Sequence, residues 1–171
     1  MRRTWQDEAD SLAWETEPLV GGRRRASHAT GFFDLVSPRD GRTLTQVADG
    51  TSADVDAAVR SARETFDSGV WSRAAAIERG RTLIRFGDLV EANARELAVR
   101  IALEMGRPVQ DALGVELRAV AQCLRWYGQL ADKLADEAPQ ATPDALALVT
   151  REPAGVVGAV AGSSLGKAVN G

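Results

Sequence analysis

Between residues 109 and 137, Leu113, Leu117, Val120, Leu124, Tyr127, Ala131 and Leu134 recur in steps of four and three. That alternation predicts one long helix with a narrow apolar seam. Pro139 is the expected stop, because proline lacks the N–H that a continuing helix needs. No apolar run in the chain reaches about 18 residues, so no membrane-spanning helix is expected. At 171 residues and 44% hydrophobic content there is material for a real core, which excludes wholesale disorder. The length allows one domain, or one large piece of a bigger one.

Upstream of the seam, residues 5–17 read as a short helix ended by Pro18. Leu19-Val20 is an apolar pair cut by Gly21-Gly22. Residues 32–36 read as a strand, followed by Ser37-Pro38-Arg39-Asp40-Gly41, whose Pro, Asp and Gly suit a turn. With residues 43–48 these make a hairpin. Thr51 and Asp54 have capping-box spacing, and Val55, Val59, Ala62 and Phe66 then share one helical face. Ser72 is a candidate cap for a second helix with Ile77, Leu83 and Ile84 inward, although Gly80 and Gly87 weaken that helix. A third helix carries Leu97, Ala98 and Ile101 and stops at Gly106, with Pro108 beyond. After the long helix, residues 145–152 suit an extended strand. Residues 156–160 form a wholly apolar run, as expected of a strand buried on both faces.

Few residues can carry chemistry. One cysteine excludes a disulfide framework and any multi-cysteine metal site. Cys123 lies beside the seam and reads as a small core hydrophobe. His28, the sole histidine, sits in a polar loop with no partner visible in sequence, and reads as solvated. Arg23-Arg24-Arg25 has no interleaved aromatics and reads as a solvated turn, with pairing to an acidic helix face as the alternative. Asp132 and Asp136 are i, i+4 neighbours that solvent exposure explains. Gly166-Lys167 resembles the end of a phosphate loop, but Ala161 and Ala168 stand where that loop needs Gly and Ser or Thr. The net charge of −3 gives no case for nucleic acid or an anionic membrane as partner. Met1-Arg2-Arg3 is followed by the polar Gln6-Asp7-Glu8 rather than an apolar stretch, so a cytoplasmic location is expected.

Several segments together resemble the N-terminal part of the NAD(P)-dependent aldehyde dehydrogenases. Val36-Ser37-Pro38-Arg39-Asp40-Gly41 resembles the family's Val-Asn-Pro-x-x-Gly turn. Asp54-Val55-Asp56-Ala57-Ala58-Val59, with Ala62, Phe66, Gly69 and Trp71, resembles its first long helix. Leu103-Glu104-Met105-Gly106-Arg107-Pro108 resembles Leu-Asp-x-Gly-Lys-Pro, and Arg125-Trp126-Tyr127 the aromatic end of the next helix. Arg151-Glu152-Pro153-Ala154-Gly155-Val156 resembles Arg-Glu-Pro-x-Gly-Val. The start at Trp5-Gln6-Asp7 and residues 146–153 look most like the branch that oxidises γ-glutamyl-aminobutyraldehyde and related amino-aldehydes.

The resemblance implies an α/β fold: the hairpin-plus-helices part of the coenzyme domain, with only the first strand or strands of its sheet. Residues 1–137 would be that helical and hairpin part, 138–153 the strand leading into the oligomerisation arm, 154–160 the first coenzyme-domain strand, and 161–171 an atypical tail. In the family a thiolate attacks the aldehyde, donors hold the oxyanion, hydride passes to the nicotinamide, and a carboxylate activates water. None of those groups has a matching position here, so no catalytic residue is assigned. The family's Pro-Trp-Asn is replaced by Ala161-Gly162-Ser163-Ser164. Val160 would touch NAD or NADP only in a complete enzyme, and no cofactor is expected to bind this chain alone. Val36 and Glu104 match the positions that hold a monovalent cation in many relatives, through oxygen donors. The expected reading is a truncated dehydrogenase, inactive by itself, that self-associates or pairs with full-length subunits. The alternatives are an interaction module using residues 145–152 as an added edge strand, or a fragment without function.

Overall fold

The computed structural model describes residues 4–29 and 31–160, so the Gly166-Lys167 tail lies outside the described residues. The first helix, α1 (Trp5–Asp10), is capped reciprocally: Thr4 Oγ1 accepts from Asp7 N at 3.1 Å and Asp7 Oδ2 from Thr4 N at 2.9 Å. It ends well before Pro18, contrary to the expectation of a helix over 5–17. The chain beyond it spends its carbonyls on arginines instead, Ala13 O accepting from Arg100 and Glu17 O from Arg24. A six-residue helix with no buried side chain has little to extend it.

The apolar pair Leu19-Val20 is β1 (Leu19–Val20), hairpinned to β2 (Arg23–Arg24). Gly21 and Gly22 have φ of 61° and 73°, the left-handed pair that a tight two-residue hairpin requires. The expected second hairpin is present as β3 (Phe32–Val36) and β4 (Thr43–Ala48), with Phe33 opposite Val47 and Leu35 opposite Thr45. Its turn closes through Ser37 N to Arg42 O and Gly41 N to Ser37 O, both 2.9 Å.

The rest of the ordered core is helical. The first of these helices, α2 (Ser52–Ser68), starts at the Thr51 box and ends at Gly69, φ 78°. Its valine face is open: Val55 and Val59 are 60% and 50% exposed. The next, α3 (Ala76–Ala92), starts at Ala75, not Ser72. Ser72 Oγ donates instead to Phe66 O at 2.8 Å, closing the end of α2. Ile84 packs inward as expected, whereas Ile77 is exposed. The third, α4 (Ala94–Met105), stops at Gly106 with φ 69°, as expected.

The seam is realised differently from its sequence pattern. The chain runs through α5 (Val109–Asp111), a π-turn at Ala112–Glu116, and α6 (Leu117–Leu130). The wider π-turn rotates α6 relative to an unbroken helix. The inward stripe of α6 becomes Leu117, Ala121, Leu124 and Gly128, while Val120 and Tyr127 are turned to solvent. The helix stops at Leu130 rather than near 137: the chain turns through residues 131–133, and Glu137 pairs with Val149 through two backbone hydrogen bonds of 3.0 and 2.8 Å. That single bridge is all that forms of the strand expected over 145–152. Residues 156–160 form no strand, since no neighbouring strand among the described residues offers them backbone partners.

The core is small. Val90, Ala98, Ala112, Leu117 and Ala121 are buried together, with Leu97, Ile101, Leu113 and Leu124 packed around them. The two glycines that weakened α3 in sequence are where it meets α6. A methyl on Gly128 would lie 2.7 Å from Gly80 O and 2.8 Å from Ile84 Cγ1, and one on Gly87 would lie 2.9 Å from Ala121 O. Only hydrogen fits between these backbones, so the glycines permit the approach that buries the core. Arg125 seals its edge by reaching Glu91 and Asp88, which holds its charge more firmly than usual.

Candidate functional site

The capping box of α2 anchors more than a helix. Asp54 is buried, and Oδ2 accepts from Thr51 N at 2.9 Å, Thr51 Oγ1 at 3.0 Å and Ser27 Oγ at 2.8 Å. Oδ1 accepts from His28 N at 2.9 Å and lies 2.9 Å from His28 Nδ1. These donors, led by the His28 backbone, hold the Asp54 carboxyl far below the usual range. His28 is therefore not a free loop histidine: its ring is oriented by a carboxylate, with the side chain 64% exposed. Ser27 donates to the aspartate, not to the imidazole, so the three residues form no nucleophilic relay. The arrangement clamps the 25–29 loop onto α2. Sequence reasoning found the Thr51–Asp54 half of it; the second set of donors lies 26 residues upstream and leaves no local signal.

Cys123 is exposed, not in the core. It stands on the α6 side away from α3, beside Trp126 and Tyr127, whose rings meet edge to face at 4.8 Å. The basic run is split between uses: Arg23 and Arg24 lie in β2, and Arg24 pairs with Glu15. The acidic pair beyond the end of α6 is engaged, Asp132 by its neighbour and Asp136 by the returning chain. Lys133 donates to Asp132, lowering its carboxyl, and Arg151 N donates to Asp136 at 3.0 Å.

For a cation at Val36 and Glu104, the relevant geometry is the seating of the hairpin turn on α4. A methyl on Gly106 would lie 3.1 Å from Pro38 Cγ, so the turn after Val36 adjoins the helix end that carries Glu104. Among the described residues no group of three or more His, Cys, Asp or Glu is assembled. A site here would rest mainly on carbonyl oxygens, which suit a weakly held hard cation. Val160 is fully exposed. Among the described residues no helix is long and apolar enough to cross a membrane.

Residues 25–162 match the family model described as Aldehyde dehydrogenase family. The chain is 35% identical over 156 residues to the NADP/NAD-dependent aldehyde dehydrogenase PuuC of Escherichia coli, covering 91% of this chain and 32% of that protein. It is 39% identical over 152 residues to an aminoacetaldehyde dehydrogenase of Pseudomonas aeruginosa, covering 89% and 31%. Among solved structures, a γ-glutamyl-γ-aminobutyraldehyde dehydrogenase from Burkholderia cenocepacia superposes with TM-score 0.84 at 39% identity, covering 87% of this chain and 30% of that one. A P. syringae indole-3-acetaldehyde dehydrogenase, solved with NAD+, gives 0.83 at 46% identity over 87% and 30%. The chain thus spans about a third of the length of the relatives it matches. The hairpin turn seated on α4, the capped α2 and the α3–α6 pair are one third of a known scaffold, and the chain belongs to the aldehyde dehydrogenase family.

Proposed function

We propose that these residues form the helical and hairpin flank of an enzyme that oxidises an aldehyde to its acid, and that this chain alone turns over no substrate. The carrying observation is Cys123. It is exposed on a helix, and no hydrogen bond or ion pair among the described residues reaches it. An aldehyde-attacking thiolate needs an activating base or charge beside it, and donors aimed at the developing oxyanion. In the whole enzyme, bound NAD or NADP accepts hydride. This chain would contribute Val160 to that site and oxygen donors at Val36 and Glu104 to a structural monovalent cation. An amino-aldehyde substrate is favoured by the names of two relatives, the aminoacetaldehyde and γ-glutamyl-γ-aminobutyraldehyde dehydrogenases. The test is reduced-nicotinamide absorbance after mixing the purified chain with NAD+ or NADP+ and aminoacetaldehyde. No aldehyde-dependent growth is expected. Growth that vanishes in Cys123→Ser would overturn the reading.

A second reading, pairing with full-length dehydrogenase subunits, is favoured by residues 145–152. Leu146 and Leu148 are 79% and 63% exposed beside a single backbone bridge, which leaves an edge open to another strand. Co-elution with a full-length amino-aldehyde dehydrogenase, lost in Leu148→Pro, would support it. Separate elution would remove it.

A further inference from the structure

A groove of about 420 Å³ opens between α1, the hairpin turn and the end of α4. Its apolar lining includes Trp5, Pro38 and Leu103, and three guanidinium-bearing residues border it: Arg39, Arg42 and Arg107. Among the described residues no acidic one lines it. Arg107 is held by Glu116 at 2.5 Å, and Arg42 is more loosely placed 3.6 Å from Asp40. Arg39 differs from both. Its backbone N donates to Ser37 Oγ at 3.3 Å, and its charge acts on Asp40 only through space. Its side chain takes part in no hydrogen bond or ion pair among the described residues. A guanidinium with its donors open at the mouth of an apolar slot is complementary to a molecule with one charged and one greasy end. Its planar fork matches a carboxylate, which it can bind through two parallel hydrogen bonds. Volume and lining are those of a small-ligand site.

We propose that this groove binds a small carboxylate with an apolar body, Arg39 and Arg42 taking the carboxylate and Trp5 and Leu103 the body. The groove borders the Pro38–Gly106 seat considered for the cation but uses neither Val36 nor Glu104, and no residue assigned to aldehyde oxidation, so its binding test reads independently of the proposed activity. Calorimetric titration of the purified chain with phenylacetate tests it, with phenylacetamide as the uncharged counterpart and inorganic phosphate as the anion without a body. Phenylacetate is expected to bind, and each control to bind at least about tenfold more weakly. Arg39→Gln should weaken phenylacetate by about three- to tenfold, and Arg39→Lys by less, because the charge remains without the fork. Arg39 lies on an exposed turn, so circular-dichroism melts of both variants should match the parent. Equal binding of phenylacetamide or phosphate, unchanged affinity in Arg39→Gln, or no heat from phenylacetate would each overturn the proposal.

Discussion

Two helices of 17 residues, α2 and α3, both present an apolar face in sequence, and they end in opposite situations. On α3 the contact with α6 is made by Gly80 and Gly87 against Gly128 and Ala121, close enough that a methyl would collide. On α2 the large apolar side chains Val55 and Val59 stand in solvent, and Asp54 is the one buried residue. Burial therefore follows the availability of a matching surface rather than side-chain size. The partner of α3 lies within this third of the family scaffold, whereas Val55 and Val59 of α2 keep half or more of their surface in solvent and only the Ala62–Phe66 end borders other described residues. The molecule is a tight centre of α3, α4 and α6 with more loosely held surroundings.

Removing a core side chain should give the largest effect. Leu117, 7% exposed, sits in the buried cluster; Leu117→Ala should cost about 2–5 kcal/mol by urea denaturation. Glycine replacements come next and should differ in sign. Gly80→Ala drives a methyl into Gly128 O and should cost about 1–3 kcal/mol, despite alanine's better helix propensity. Gly114, in the π-turn, has nothing within 4 Å of an added methyl, so Gly114→Ala should stabilise by up to about 1 kcal/mol. Equal signs would remove the close-packing account of α3–α6.

The Asp54 clamp predicts a pH signature. Its carboxyl is depressed in the folded chain, so its contribution is complete above the unfolded value of about 3.9 and is lost as pH falls further toward the folded value. Thermal melts should therefore lose less stability on acidification below about pH 4 in Asp54→Asn than in the parent. Parallel pH profiles would show that the clamp does not hold the loop. At the small end, Val55→Ser should change stability by no more than about 0.5 kcal/mol, since the side chain is already wet. A loss near that of Leu117→Ala would mean that the α2 face is covered in solution.

Much of this architecture was legible because its signals are local. Pro38, Asp40 and Gly41 marked the second hairpin, Thr51 with Asp54 marked the start of α2, and Gly106 with Pro108 marked the end of α4. The illegible parts depend on partners distant in sequence. Local propensity penalises Gly80 and Gly87, yet they are required where two backbones meet. The seam from Leu113 to Leu134 presupposes uninterrupted helical periodicity, and the π-turn rotates Val120 and Tyr127 outward, leaving Cys123 in solvent. The runs at 145–152 and 156–160 have strand composition, but a strand exists only where a neighbour accepts its hydrogen bonds. The His28–Asp54 contact joins a loop to a helix start across 26 residues, beyond any motif in the chain.

Native-state hydrogen exchange, resolved by residue, probes the contrast between centre and periphery most directly. Exchange rates track local opening, which close packing suppresses. The slowest amides should lie in α3, α4 and α6, around Val90, Ala98 and Ala121, with α2 and residues 145–160 exchanging far faster. Protection of α2 equal to that of α3 would contradict the account, because it would show that the valine face has a partner in the chain itself.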